Sequence, residues 1–551
     1  MTNKDIAYAF DELANLMELH EEDEFRIRSY RNAYLTLRKV DAPLTTLEEP
    51  ELKAIKGVGS AIAGKILDLT RTGKMPTLEK YRAETPPGVV EMLEVNGFGP
   101  KKVRAVWKEM GIESIGELWY ACNENRLVEY KGFGLKTQED LKQKLEYYLK
   151  SRDKLHLHVA LEEADNIWHL LRERLPGAEI AVVGELRRCC PVVGQLEFLV
   201  AFEGTTPDFF DAETLVLEKS QGTTFAARYE AAIPVLVHTC APGAFGSKLL
   251  LHTGSRAFVE AFAATNPGLD FKDMGREAAV FERAGLPFVA PELREGALFL
   301  DKAKTGKLPA LITEADIRGV LHVHTTWSDG LHTLREMCGY AREQGYEYIG
   351  ITDHSQSAFY ANGLKPDRVL AQMAEIDALN EEMAPFKILK GIESDILNDG
   401  SLDYEASLLA QFDFVIASVH SNLKMGREKA TERVIRAIEN PFTTILGHPT
   451  GRLLLSREGY PLDWDAVFDA LARCKVALEL NANPHRLDVD YTLLPKAIDL
   501  GIPIGINPDA HSKQGIHDLR YGVMVARKGG LEAAGCFNAQ PVSNITKRRL
   551  G

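Results

Sequence analysis

Between positions 322 and 511 lie six histidines and three carboxylates whose types and placement suit the holding of several divalent metals. They are His322 and His324 in LHVHTTWSDG, Asp329 near the end of that run, His354 in ITDH, Glu393 in GIESD, His420 in ASVHSN, His448 in LGHPTGR, and Asp509 with His511 in NPDAH. Most of them follow directly on short apolar runs. A polynuclear centre of this kind can activate a water and direct it at phosphorus, so hydrolysis of a phosphate ester is the chemistry these residues predict, with Glu393, His322 and Asp509 at its centre. The mixed nitrogen and oxygen set suits Zn²⁺, Mn²⁺ or Fe²⁺ better than Mg²⁺ or Ca²⁺, which take oxygen ligands.

Such donors must be brought together by elements that end at one place. From position 309 onward the chain alternates strand-like runs at 320–323, 348–352, 386–393, 414–419, 444–447, 477–481 and 503–506 with helical patterns at 333–344, 366–383, 428–439 and 465–474. Seven βα repeats predict a closed or nearly closed parallel barrel whose site lies in the loops at the strand ends. His322 and His324, two apart on one strand, are expected to leave on the same face. Asp509 and His511 repeat that spacing at the far end of the region and can close the site opposite them. Arg452 in HPTGR and Arg486 in NPHRLD have the planar fork that matches phosphate oxygens, and each equally suits a salt bridge at the rim.

The composition bounds the rest. A chain of 551 residues, 45% apolar, is too long for one core, so three or more domains are expected. The net charge of −14 argues against polyanion binding by global attraction, while leaving local recognition of nucleic acid open. The seven cysteines form no disulfide framework at this length. No apolar run reaches roughly 18 residues and the N-terminus is acidic, so neither a membrane span nor a secretion signal is indicated, and a cytoplasmic location is expected.

The first 150 residues read as helices. Ile6, Phe10, Leu13 and Met17, then Ile27, Tyr30 and Tyr34, recur at helical spacing on either side of a charged stretch at 21–24. A GxG turn then occurs three times, as Gly57-Val58-Gly59, Gly97-Phe98-Gly99 and Gly132-Phe133-Gly134, each between two candidate helices, the second of each pair at 61–69, 101–110 and 136–150. Paired glycines permit a tight turn with positive φ, and the free N–H groups of the helix that follows can face a phosphate. Lys101, Lys102 and Arg104 after the second turn and Lys136 after the third add charge. The three turns resemble helix-hairpin-helix motifs, which grip a DNA backbone without reading bases. Plain helix–helix turns are the alternative.

Positions 155–300 mix a helical pattern at 159–175 with strand-like runs at 180–183, 197–201, 234–238 and 249–252, which predicts a small α/β or α+β domain. Gly57-Val58-Gly59, Gly97-Phe98-Gly99, Gly184 with Arg187-Arg188, Thr253-Gly254-Ser255 and His322-Val323-His324 follow in an order that resembles the bacterial family X DNA polymerases over essentially the whole chain. The resemblance implies a multidomain protein. An N-terminal all-α helix-hairpin-helix region comes first, as a DNA-binding domain at 1–85 and a fingers-like part at 86–152. A central α+β nucleotidyltransferase-like core, palm and thumb, follows at 153–300. A C-terminal α/β distorted (β/α)₇ barrel of the polymerase-and-histidinol-phosphatase (PHP) type occupies 318–551.

The family's metal pattern, carried over residue by residue, implies three divalent metals, Zn²⁺ or Mn²⁺ with Fe²⁺ as an option. His322, His324, Glu393 and Asp509 hold one; Glu393 bridges to a second on His420 and His448; Asp329, His354 and His511 hold a third. The family's three polymerase carboxylates fall on Gln195, Glu197 and Leu236, and the serine ahead of its paired arginines is Glu185. Nucleotidyl transfer needs carboxylates for both cations, so the core is expected to be inactive. The resemblance also places a lyase lysine at Lys65, where a helix lysine touching phosphate explains the same residue.

The implied activity is a metal-dependent 3′-5′ exonuclease or 3′-end phosphatase in DNA repair. Its partner is gapped or ended duplex DNA, and the protein is expected to be a monomer with no membrane association. The alternatives are an active gap-filling polymerase with a PHP nuclease, a non-catalytic DNA-end scaffold, and a small-molecule phosphatase.

Overall fold

The computed structural model describes residues 3–547 apart from 39, 41, 96, 129, 131–132, 151–153, 203–208 and 231. Contacts divide the chain into two units, one of residues 1–122 with 127–149 and one of 123–126 with 150–551.

The first unit is helical. α1 (Asn3–Leu19) and α2 (Glu24–Leu37) bury the apolar stripe of Ile6, Phe10, Leu13, Met17, Ile27 and Tyr30. Asp23 caps α2 by accepting from the Arg26 N–H at 3.0 Å, which explains why the charged stretch breaks the helix there. Gly57 and Gly97 take φ of +92° and +79°, a region that costs a side-chain-bearing residue dearly. Two residues later Gly59 and Gly99 stand at the N-termini of α3 (Ser60–Thr72) and α4 (Pro100–Lys108). The third turn leads into α5 (Leu135–Lys150), while its Gly132 lies outside the described residues. The helices at Glu49–Ala54, Pro76–Glu84, Pro87–Met92 and Ile115–Asn123 are too short to show a period in sequence.

The second unit holds two large sheets and a two-stranded pair of Leu155–His156 with Val192–Val193, and its main apolar core draws on residues from Leu155 to Cys536. The smaller has five strands: β1 (Ile180–Val183), β2 (Leu196–Ala201), β3 (Leu215–Gln221), β4 (Thr224–Tyr229) and β5 (Ile233–Cys240), in spatial order β1-β2-β5-β4-β3. Only β2 and β5 are parallel, in a register that pairs Glu197 with Leu236. The run at 249–252, expected as a strand, is instead part of a helix, Phe245–Thr253. Three leucines and a histidine in a row fit either state, and in the helix Leu250 is buried while Leu249 and Leu251 are half-buried.

The larger sheet is the expected parallel array of seven: β6 (Gly319–Val323), β7 (Tyr348–Ile351), β8 (Lys387–Asp395), β9 (Phe414–Ser418), β10 (Ile445–Leu446), β11 (Ala477–Asn481) and β12 (Ile504–Asn507), adjacent in chain order. Helices at Leu334–Glu343, Pro366–Met383, Arg427–Ile438, Trp464–Cys474 and Leu519–Lys528 cover it. The first and last strands share no ladder, but Ala510 joins them. Its N–H donates to His322 O at 3.1 Å, and its carbonyl accepts from the His324 N–H at 2.9 Å. The result is a nearly closed, distorted parallel barrel. Among the described residues no helix is long and apolar enough to cross a membrane, and all seven cysteines are free.

Candidate metal centre

Each of the nine donors stands at or just beyond the C-terminal end of a barrel strand. The alternation expected for His322 and His324 is replaced by a bulge. The β6–β7 register shifts between Val320 and Val323, and His322 sits at φ +62°. A bulge turns a side chain that strict pleating would send elsewhere, and both imidazoles thereby reach the same centre. Asp509 has φ +53° at the opposite strand end. Such backbone strain, on the order of 1–3 kcal/mol per residue, gathers where geometry is held for function.

Glu393, on β8, is the hub. Its Oε1 lies 2.9 Å from His448 Nε2, 3.1 Å from His420 Nε2 and 3.2 Å from His322 Nε2. Its Oε2 lies 3.0 Å from His354 Nδ1 and 3.6 Å from His324 Nε2. Asp509 Oδ1 faces His324 Nε2 at 3.2 Å and His322 Nε2 at 3.4 Å. Asp329 faces His354, His511 and His324 at 3.4, 3.5 and 3.6 Å. The donors form four overlapping groups able to hold a divalent ion: His324, Asp329, His354 and His511; His322, Glu393 and His448; His322, His324 and Asp509; and His354, Glu393 and His420.

The donor set fits cations. His322 Nε2, both ring nitrogens of His324, Asp329 Oδ2, His354 Nδ1, Glu393 Oε2 and His511 Nε2 are buried yet make no hydrogen bond. Buried polar groups rarely stand so, and here their lone pairs converge on shared points instead of on one another. Burial works to raise Glu393, but His420, His322 and His354 hold it well below the usual carboxylate range. Asp329 and Asp509 are held down in the same way, by His354 with His511 and by His322. Burial works to lower His420, but Glu393 and Asp395 carry it up to about 9.

Three acids that sequence reasoning passed over brace this set. Glu479 accepts from His322 Nδ1 at 2.7 Å and from the His448 N–H at 2.6 Å. Asp395 accepts from His420 Nδ1 at 2.6 Å. Each fixes the tautomer that turns the other ring nitrogen to the centre. Asp353 accepts from the Thr325 N–H at 2.8 Å and from Gln372 Nε2 at 2.6 Å, and so holds the loop that carries Asp329. Asp395 stands two residues beyond Glu393 on one strand and Glu479 is the one acid of an apolar strand, positions that do not by themselves mark their role.

The two arginines differ. Arg486 Nε lies 3.7 Å from Asp509, beside the centre. Arg452 donates to Asp490 at 2.7 Å, to Arg486 O at 3.0 Å and to Leu487 O, so its guanidinium already braces the loop that carries Arg486.

In the smaller sheet Gln195 Nε2 donates to Glu197 Oε1 at 3.2 Å, and His238 Nε2 lies 3.3 Å from Glu197 Oε2. Glu185 accepts from the Gly194 N–H at 2.7 Å. Arg187 is paired with Glu277 and Arg188 with Glu295. Among the described residues the metal-capable groups all lie between 322 and 511. In the first unit Lys65 Nζ stands 5.8 Å from the Tyr30 ring centre. Lys101 is exposed and Lys102 half-buried on the first turn of α4.

Comparison with known families matches residues 1–75 to a helix-hairpin-helix domain, 89–146 to a SAM-like helix-hairpin-helix tandem and 321–483 to the PHP domain. The chain is 26% identical over 221 residues to a probable phosphatase of Thermoanaerobacter sp. (strain X514), covering 38% of this chain and 85% of that one. It is 26% identical over 239 residues to a probable phosphatase of Shewanella sediminis, covering 41% and 91%. With the DNA polymerase/3′-5′ exonuclease PolX of Bacillus subtilis it shares 32% identity over 571 residues, 99% of each chain. On that full-length identity, with helix-hairpin-helix domains at one end and a PHP domain at the other, the chain belongs to the PolX family of DNA polymerases.

Proposed function

We propose that this protein is a metal-dependent phosphodiesterase that shortens DNA from 3′ ends, and that its central core performs no nucleotidyl transfer. The observation that carries the reading is the convergence of nine mostly buried donors in four overlapping metal-capable groups, two of which share Glu393. The phosphatases and the exonuclease among its relatives favour the same chemistry.

His322, His324, Glu393 and Asp509, then Glu393 with His420 and His448, then Asp329, His354 and His511, would hold three divalent cations, Zn²⁺ or Mn²⁺ with Fe²⁺ as an option. Bound there, the cations lower the pKa of a water and offset charge developing on the nonbridging phosphate oxygens. The chain's own part is positioning. Glu479 and Asp395 orient His322 and His420. Asp353 holds the Asp329 loop. Arg486 offers a cation to the phosphate, and Arg452 steadies the loop that carries Arg486.

Glu197 is engaged by Gln195 and His238 and stands in register with the apolar Leu236, which supports an inactive core. Glu185 adds a negative charge where the family greets triphosphate. DNA is held by the hairpins at Gly57, Gly59, Gly97 and Gly99, with Lys101 and Lys102, in domains assigned to 1–85 and 86–152. The core is assigned to 153–300 and the nuclease to 318–551. Lys65 contacts phosphate in this reading, with lyase chemistry as its alternative. The protein works as a cytoplasmic monomer on gapped or ended duplex.

Metal analysis of the purified protein, with one labelled gapped duplex incubated with and without nucleotides, tests both parts. Bound metal with a shortened strand is expected. Extension of the primer with magnesium or manganese overturns the inactive core, and absence of both metal and shortening overturns the nuclease.

A further inference from the structure

The loop after His354 leaves one aromatic ring uncovered beside the metal centre. Its feet stand on the site: the Ser355 N–H donates to Glu393 O at 3.0 Å, and the Leu364 N–H donates to His354 O at 2.8 Å. Ser357 Oγ donates to Asp395 at 2.7 Å, and Asn362 φ is +54° where the loop turns back. Held in this way, the loop presents Phe359 at 83% exposure. The ring centre of Phe359 lies 5.9 Å from that of Tyr360, which lies 6.4 Å from that of His354.

A singly exposed aromatic is ordinary on a protein surface. This one differs in its neighbours. The Arg126 guanidinium lies 4.6 Å from the Tyr360 ring centre, within the same compact unit. Arg368 donates to Asn362 O at 2.9 Å and lies 5.7 Å from the half-buried Trp327 ring, two residues before Asp329. Aromatic rings with guanidinium groups close by are what a single strand of nucleic acid meets on a protein, bases on the rings and phosphates near the cations. The two ring-to-ring steps from His354 to Phe359 are within the reach of a few nucleotides of strand.

We propose that Phe359 is a positioning residue that stacks on an unpaired base next to the phosphate being cut. The proposal rests on the phosphodiesterase reading above. It makes Phe359 responsible for binding the base and for none of the bond cleavage.

The test uses the full chain loaded with Mn²⁺ and two labelled single-stranded oligonucleotides, identical except that one ends in abasic residues at its 3′ side. Phe359→Ala is expected to raise KM for the base-bearing end roughly ten- to hundredfold. Cleavage of the abasic end should stay within about twofold of the parent, and Phe359→Trp should restore the base-bearing KM. If Phe359→Ala leaves both substrates unchanged, or weakens both alike, the stacking role is wrong while the nuclease stands. If the parent protein cuts neither strand, both readings fall.

Discussion

Replacing Glu479 with glutamine is the most revealing perturbation of the metal centre, because it keeps shape and removes one charge from behind the donors. The Glu479 carboxylate accepts from His322 Nδ1 at 2.7 Å, the His448 N–H at 2.6 Å, Asn507 Nδ2 at 2.8 Å and Asn481 Nδ2 at 3.3 Å. All four partners donate, so the NH₂ of a glutamine must face a donor on one side. His322 can relieve the clash by moving its ring proton to Nε2. That nitrogen, 3.2 Å from Glu393, would then carry hydrogen where a lone pair is needed. Losing one charge-assisted hydrogen bond costs about 1.5–3 kcal/mol, which corresponds to roughly ten- to hundredfold in metal affinity. The assay is dialysis against graded chelator followed by metal analysis, with hydrolysis measured in parallel and a thermal melt to show that the barrel remains folded. Metal retention and turnover equal to the parent would refute the role given to Glu479.

Three further outcomes are expected. Glu393→Ala should abolish hydrolysis and metal retention while DNA binding, measured by fluorescence anisotropy, stays near the parent value; survival of hydrolysis would move the site elsewhere. Stability of chelator-treated protein should depend on pH through His420, which Glu393 and Asp395 carry up to about 9 against burial. A raised imidazole contributes stability fully below its unfolded value near 6.5 and loses it as pH rises through about 9, so the melting temperature should fall across that window and the metal-loaded protein should lack this fall. Gly57→Val and Gly97→Val each force a branched residue to positive φ, at roughly 1–3 kcal/mol, and should lower both the melting temperature of the helical unit and its affinity for duplex DNA.

The candidate donors stood out because they are chemically distinctive and mostly follow short apolar runs, and because seven such runs alternate with helices. What escaped the sequence is what supports them. Glu479 and Asp395 sit inside strands, where a single acid carries no period, and their meaning comes only from the imidazole across the barrel. His322 and His324 were expected to converge by simple alternation; they converge through a bulge, which no residue pattern announces. Arg452 was legible as a guanidinium near the strand ends, but its partners at 486–490 come from another loop. The run at 249–252 was unreadable between strand and helix because three leucines and a histidine lack the length to show either repeat.

Ala510 stitches the first barrel strand to the last, and His322 and His511 stand on either side of that seam. A chain that stops anywhere before position 509 therefore holds at most seven of the nine donors and lacks the wall that faces them. A nascent copy that has not yet reached Asp509 carries no complete centre.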